Sequence, residues 1–193
     1  MESFPAYFPL AGRRVVIVGS GEAADGKARL FDGSPAEVFR LDDGRAFDPE
    51  TYRGAALVFI AGEDEAFDTA AAAAVREAGV PVNVVDRPAL CDFFTPSLVD
   101  RGEVVVAVGT GGASPVLAQM LRQEIEARVP EGTGRVAALL RLHRDEVLRR
   151  FPDMKLRAEF LRGVLTGPPA QAAMDDDMDL AHRLFNEALA AVR

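Results

Sequence analysis

The feature that most limits how this chain can fold is a short apolar run that leads directly into a glycine-rich turn. Residues Arg14 to Val18 (RVVIV) are mainly β-branched and show no apolar–polar alternation, as expected for a strand that is buried on both faces. The turn GSGEAA follows at Gly19 to Ala24, and a helix-forming segment comes next. A strand, a tight turn and a helix in this order predict the first unit of a parallel α/β sheet.

The turn has the G-x-G-x-x-A spacing of dinucleotide-binding loops. The first glycine permits the tight turn, the second lets a pyrophosphate approach the backbone, and the small Ala24 lets the helix pack on the strand. About twenty residues further on, an acidic pair follows a second strand, Glu37 to Leu41, where a carboxylate can bind the ribose of NAD and would repel the 2′-phosphate of NADP. The alternative is an ordinary glycine turn, with the two aspartates as turn residues. We predict NAD as the cofactor, with contacts from Gly19, Ser20, Gly21, Glu22, Ala23, Asp42 and Asp43.

Strand and helix patterns continue to alternate through the first half of the chain. The sequence predicts a short helix begun by Asp48-Pro49, a buried strand at Ala55 to Ala61, an alanine-rich helix at Asp68 to Ala78, and a strand at Val80 to Val85. This order predicts an α/β fold with a small doubly wound, Rossmann-like parallel sheet. Ala61 and Gly62, at the end of the third strand, are expected to complete the cofactor contacts.

Composition excludes several classes of protein. The net charge of -8 argues against nucleic acid as a partner. One cysteine, Cys91, excludes a disulfide framework and is expected to be a small buried hydrophobic residue. The first residues lack the pattern of a signal peptide, and no apolar run is long enough to span a membrane. We therefore expect a cytoplasmic protein.

Three segments together resemble the dehydrogenase part of the siroheme synthase family, which contains precorrin-2 dehydrogenases, some of them also sirohydrochlorin ferrochelatases. They are FPLAGRRVVIVGSGEAADGKARL near the start, NVVDRPALCDFFTPSLVDRG, and VAVGTGGASPVLAQMLRQEIE. The resemblance runs from about residue 8 to residue 129 and more loosely through the remaining chain. In place of a further helix and strand that family members usually carry after the second strand, this chain has only Asp42 to Thr51.

The resemblance implies a homodimeric enzyme that oxidises precorrin-2 to sirohydrochlorin with NAD. It implies an NAD-binding domain at 1–95, a dimerisation segment at 96–129 and a helical, substrate-covering domain at 130–193. It also implies that the substrate contacts Asn83, Thr110, Gly111, Gly112 and Ser114. For the glycine loop at 109–112, the alternative is a structural connection capped by Ser114.

Asp86 matches the catalytic aspartate that is proposed for this family. Its position after a strand places it on the carboxyl edge of the sheet, where doubly wound folds bind ligands. We expect this strand to be central and the carboxylate to be partly buried, so that it can take the proton that leaves with the hydride. The alternative is an aspartate that only caps the turn before Pro88.

After residue 129 the apolar spacing of three and four predicts helices at 135–151, 154–165 and 178–192, with a linker at 166–179. His143 lies on an apolar stripe and is expected in the core, whereas His182 is expected to be solvated. Basic residues outnumber acidic ones between Arg135 and Arg162. They either attract a polycarboxylate substrate or cover solvated helix faces.

The preferred function is that of an NAD-dependent precorrin-2 dehydrogenase. One alternative is a bifunctional enzyme that also inserts ferrous iron, which would then be a substrate, because no tight metal site is legible in the sequence. A second alternative is a non-catalytic relative that binds a dinucleotide or a tetrapyrrole. Neither alternative calls for a nucleic-acid or membrane partner.

Overall fold

The chain folds into two units, each with its own hydrophobic core. The computed structural model describes residues 3–62 and 64–192, and the units divide it between Thr95 and Pro96. Within these residues, no helix has the length and apolar character needed to cross a membrane.

The first unit alternates strands and helices. Its elements are β1 (Arg14–Gly19), α1 (Gly21–Arg29), β2 (Glu37–Leu41), two 3-10 turns (Gly44–Phe47 and Pro49–Tyr52), β3 (Ala55–Ala61), α2 (Glu65–Glu77), β4 (Val82–Val84) and a third 3-10 turn (Pro88–Leu90).

The four strands form one parallel sheet in the order β2-β1-β3-β4. β2 lies on one side of β1, and β3, which comes later in the chain, lies on its other side. The strand order therefore reverses between β1 and β3. Gly19 of β1 lies opposite Ala61 of β3 in the register. In open parallel sheets, this reversal point opens a crevice at the carboxyl ends of the strands, where ligands bind.

The two central strands are buried on both faces, which explains why residues 15–18 of β1 and all of β3 are apolar. One face packs against α2 and the 3-10 turns, with Tyr52 fully buried and its hydroxyl donating to the carbonyl oxygen of Ala46 at 2.7 Å. Burial raises the pKa of Tyr52 to about 12. The other face packs against α1 and includes Phe59, which contacts Phe31 and Phe93 edge to face. The predicted small doubly wound α/β sheet is confirmed.

Three details of the first unit differ from the sequence prediction. Helix α2 begins at Glu65, three residues earlier than expected, because the side chain of Asp64 caps it by accepting from the amide of Ala66. Strand β4 has only three residues, and it lies at the edge of the sheet rather than at its centre. The stretch after β2 forms two 3-10 turns, and the second of them stands in place of the expected short helix after Asp48.

The second unit begins with a two-stranded antiparallel sheet and continues as helices. Its elements are β5 (Ser97–Arg101), β6 (Val104–Val108), α3 (Pro115–Glu126), α4 (Gly132–Leu142), α5 (Arg144–Arg150), α6 (Met154–Thr166), α7 (Pro168–Met174) and α8 (Met178–Ala191). The core of this unit is formed by α4 to α8 around Leu139, Ala173 and Phe185.

The sequence pattern in the helical part was wrong at two places. The segment 135–151, predicted as one helix, is broken at His143, which ends α4 and precedes α5. The predicted linker 166–179 contains α7, whose small residues Ala170, Ala172 and Ala173 are buried against neighbouring helices. A stretch rich in alanine and proline carries little periodic apolar signal, although its small side chains suit close helix packing.

The two histidines of the chain form a pair inside this helical core. His143 is buried, stacks on Phe185 with ring centroids 4.1 Å apart, and its Nε2 lies 3.1 Å from Nδ1 of His182. His182 is half-buried, so its predicted solvated position is wrong. Burial, and secondly the neighbouring His182, lower the pKa of His143.

The histidine pair should make the stability of the protein depend on pH. Because the pKa of His143 is lowered in the folded state, the unfolded chain takes up this proton first, and stability falls as the pH drops below the ordinary histidine value of 6.5. We expect the Tm to decrease between pH 7.5 and pH 5, and to decrease less in the H143Q variant. Thermal unfolding followed by circular dichroism measures both. A wild-type Tm that falls no more steeply than that of H143Q would contradict this role.

Candidate active site

The glycine loop after β1 is shaped by one close approach and one open space. Gly19 has a φ of +106°, and a Cβ at this position would overlap the carbonyl oxygen of Ala61 on β3. Gly21 has a φ of +76°, and a Cβ there would meet no atom within 4 Å. The first glycine therefore lets two strands meet, whereas the second leaves the backbone accessible from outside.

The N-terminus of α1 is accessible beside this loop. Ser20, Glu22 and Ala23 are exposed, and the side chain of Ser20 does not cap the helix. The first amide groups of a helix have no partner within the helix and carry a partial positive charge, which suits a phosphate. With the buried Ala24 packing α1 on the sheet, these residues fit the pyrophosphate of a dinucleotide.

The two acidic residues after β2 have different roles in the structure. Asp43 caps the following 3-10 turn, accepting from the amide of Arg45 at 2.9 Å, and its carboxylate also pairs with the guanidinium of Arg45. This bonding lowers the pKa of Asp43. Asp42 is exposed and directly follows β2 at the carboxyl edge. Asp42 is thus the acid that remains available to a ribose.

A buried ion pair holds the loop after β3, and the sequence pattern did not reveal it. The side chain of Asp68 is only 1% exposed, and it accepts from the amide of Gly62 at 3.1 Å and from Nε of Arg87 at 2.8 Å. A Cβ on Gly62 would overlap the same carboxylate. Gly62 is a predicted cofactor contact and Arg87 is adjacent to Asp86, so this pair links the two parts of the site. Asp68 looked like an ordinary residue of an alanine-rich helix.

Asp86 lies in the turn that follows β4, at the same carboxyl edge. Its φ of +57° is in the left-handed region, which is uncommon for a residue other than glycine and which recurs at functional sites. The residue is exposed, so the predicted partial burial is wrong, because β4 is an edge strand and the turn extends beyond it. The backbone on either side is fixed by hydrogen bonds from Val85 to Ile60 and from Arg87 to Val84.

Asn83 and Cys91 support the turn that carries Asp86. Asn83 is 5% exposed, and its amide donates to the carbonyl oxygen of Phe93 at 2.9 Å, while its own Oδ1 has no hydrogen-bond partner among the described residues. The sulfur of Cys91 accepts from the amide of Val84 at 3.2 Å. Cys91 is half-buried and hydrogen-bonded, rather than the buried hydrophobic residue that we expected.

A further charged group of the first unit is Lys27, in the last turn of α1. Its Nζ donates to Oγ1 of Thr95 at 3.1 Å and lies 5.6 Å from the centroid of the Phe59 ring. Burial lowers the pKa of Lys27, whereas its electrostatic interactions with Cys91 and Asp86 act in the opposite direction. Nothing in the sequence pattern distinguished this lysine as a site residue.

The second glycine loop belongs to the second unit. The hydroxyl of Thr110 bridges the loop, donating to the carbonyl oxygen of Ser114 at 3.1 Å and accepting from its amide. Ser114 caps α3 by accepting from the amide of Leu117, as predicted. Gly111 and Gly112 are exposed, and across residues 3–62 and 64–192 their amides find no hydrogen-bond acceptor. The loop therefore offers free amides beside a capped helix.

Among the described residues, no group of three or more histidine, cysteine, aspartate or glutamate side chains is arranged to hold a metal ion.

Three protein families match the chain one after another. Residues 6–97 match a family described as putative NAD(P)-binding, residues 101–128 match the central region of sirohaem biosynthesis proteins, and residues 132–189 match the sirohaem synthase dimerisation region. The first match identifies the Rossmann-like unit as a nicotinamide-dinucleotide module without distinguishing NAD from NADP. The dimerisation match lies in the helical part, whereas we expected the dimerisation segment at 96–129.

The similar proteins are siroheme synthases. Those of Ectopseudomonas mendocina and Azotobacter vinelandii are each 36% identical to this chain over 98% of its length and are matched over 45% of their own. The chain thus spans about half the length of the curated relatives it matches. A solved structure titled SirC, precorrin-2 dehydrogenase has the same fold, with a TM-score of 0.74, 17% identity, and coverage of 97% of this chain and 99% of that chain.

The Asp68–Arg87 pair should stabilise the first unit. Replacing Asp68 with Asn removes a buried charge that two donors share, and we expect a loss of about 1–3 kcal/mol in the free energy of unfolding. The double variant D68N/R87Q should lose less than the sum of the two single variants, because the partner charge is removed as well. Urea unfolding of the four proteins measures this. Additive losses, or a D68N variant as stable as the wild type, would show that the pair is not coupled.

Proposed function

We propose, from the similarity of this chain to siroheme synthases, that it oxidises precorrin-2 to sirohydrochlorin with NAD. The observation that carries the proposal is the carboxyl edge of the parallel sheet, where an open dinucleotide loop and Asp86 follow strands of one sheet. A bound dinucleotide supplies the acceptor for a hydride. The chain itself has to bind both molecules, orient them and remove a proton.

The cofactor loop supports a dinucleotide whose pyrophosphate lies at the N-terminus of α1. Gly21 leaves the backbone open, and Gly62, fixed by Asp68, lies on the neighbouring strand end. NAD is favoured over NADP for two reasons. Asp42 is an exposed acid at the end of β2, and Arg45, which otherwise suits a 2′-phosphate, is already paired with Asp43.

Asp86 is the group that we assign to proton removal. The oxidation takes a hydride and a proton from the substrate, and the exposed carboxylate can accept the proton without first being desolvated. Its left-handed backbone and the paired Arg87 next to it fix the place in the turn from which the carboxylate projects. A fixed base of this kind improves catalysis by orientation as well as by proton transfer.

The homodimer is the second part of the proposal. Helix α3 exposes four large apolar side chains within two turns, namely Val116, Leu117, Met120 and Leu121. An apolar stripe of this kind on a small unit is typical of a protein–protein contact. The match to a dimerisation region at 132–189 supports self-association as well, and exposed Met154 on α6 belongs to that region.

Replacing Asp86 should separate catalysis from cofactor binding. We expect D86A to reduce turnover about 100- to 10,000-fold, the range that a general base contributes. NADH affinity, measured by fluorescence, should stay within about twofold, since the pyrophosphate contacts are unchanged. In the assay, each protein is incubated anaerobically with precorrin-2 and either NAD or NADP. The absorbance of the reduced cofactor and of sirohydrochlorin measures turnover. Ferrous iron is added at the end to test for iron insertion.

The matched control for this experiment is D32A, which removes an exposed aspartate of the same unit. D32A should oxidise precorrin-2 like the wild type. Unchanged turnover in D86A removes Asp86 from the mechanism. A wild type that binds NADH but never produces sirohydrochlorin supports the non-catalytic relative, and iron insertion after oxidation supports the bifunctional enzyme.

The dimer contact should depend on the apolar stripe of α3. We expect the wild type to sediment as a dimer at micromolar concentration and M120K to shift to monomer, because a buried unpaired ammonium costs several kcal/mol. M154K, which places the same charge on α6, should remain a dimer. Analytical ultracentrifugation of the three proteins measures this. A monomeric wild type would refute the proposed dimer. If M154K is monomeric and M120K remains a dimer, the contact lies in the helical region and not on α3.

A further inference from the structure

Lys27 is an unusual choice of residue for this chain. Lys27 and Lys155 are the only lysines among its 22 lysines and arginines. Arginine presents a broad planar fork, whereas lysine presents a compact ammonium on a flexible stem. A sequence that uses arginine at nearly every basic position has a lysine at this half-buried place in α1. This contrast suggests that the position requires a compact cation.

The surroundings of Lys27 hold its ammonium in one place. It lies in α1, and the hydrogen bond to Thr95 and the contact over the Phe59 ring direct it away from bulk water. Helix side chains tilt toward the N-terminus of their helix, which here is the carboxyl edge of the sheet. The cation is thereby directed to the edge that carries the cofactor loop and Asp86.

The charge of this ammonium is only partly compensated. An ammonium has three donor hydrogens, and the described residues engage one, through Thr95; none of their carboxylates lies within 4.0 Å of Nζ. The burial of Lys27 lowers its pKa, while the Asp86 carboxylate and Cys91 favour the charged form without forming an ion pair. A desolvated cation with unused donors gains free energy when an anion docks against it.

We propose that Lys27 is a substrate-binding residue, whose ammonium binds a carboxylate of the tetrapyrrole beside Asp86. This inference rests on the proposed function, since it assigns one anionic group of that polycarboxylate substrate. The phosphates of the dinucleotide are the other anionic source at this edge. The carboxylate is favoured because the N-terminal amides of α1 already suit the pyrophosphate. Lys27 is instead held by its hydrogen bond to Thr95, and Asp86 favours its charged form.

The two-lysine composition permits a direct test by NMR. Protein labelled with [ε-13C]lysine gives two side-chain signals, and exposed Lys155 of α6 is the internal control. K155M assigns the signals. Sirohydrochlorin, added anaerobically, should shift the Lys27 signal in a saturable manner and leave Lys155 unchanged. NADH is titrated separately, and a Lys27 signal that responds only to NADH overturns the carboxylate assignment.

Variants measure the contribution of the ammonium to affinity. K27M should raise the Kd for sirohydrochlorin about tenfold or more and the KM for precorrin-2 likewise, with the Kd for NADH within about twofold. K155M should match the wild type. T95V removes the same hydrogen bond but keeps the ammonium, so it should retain most of the affinity. If T95V is as impaired as K27M, Lys27 has only a structural role and the inference fails.

The inference and the proposed function can fail separately. A wild type that neither binds sirohydrochlorin nor oxidises precorrin-2 overturns both. A wild type that does both, with a Lys27 signal that does not move, overturns only the role of Lys27. Restoration of affinity in K27R to near the wild-type value would overturn the requirement for a compact ammonium, because the guanidinium would then serve equally well.

Discussion

The candidate site depends on the close contact between the ends of β1 and β3. A side chain at Gly19 would occupy the position of the Ala61 carbonyl, so a larger residue there would force the two central strands apart. With glycine present, the strands remain paired to their last residues, and the chain can leave them in opposite directions. The crevice at this reversal point, the open amides of α1 and the loop at Gly62 all follow from that contact.

Polar interactions behind the edge keep its loops in place. The carboxylate of Asp68 is buried, so its charge requires partners, and it finds them in the amide of Gly62 and in Arg87. The loop after β3 and the turn after β4 are therefore fixed by one side chain. On the other face, Asn83 and Lys27 attach the 91–95 segment to the sheet and to α1. A strand of three residues can carry a functional turn because these contacts support it from both sides.

The strands and the glycine loop were readable because their patterns are local. β1 and β3 occur where unbroken apolar runs predicted them, β2 occurs at its predicted position, and the resemblance to the family was confirmed by the comparisons. At Asp86 the family resemblance was more informative than periodicity. In isolation this aspartate looks like a turn residue before a proline.

The sequence by itself determined the parallel α/β order, the nucleotide loop and the family, because each is written in neighbouring residues. Tertiary structure alone decided that Asp68 is the buried partner of Arg87, that His143 and His182 form a pair, and that Lys27 donates to Thr95. These relations join residues that are 19, 39 and 68 positions apart in the sequence. Periodicity reports which face of an element is apolar, but only packing decides which polar group on one element meets which group on another.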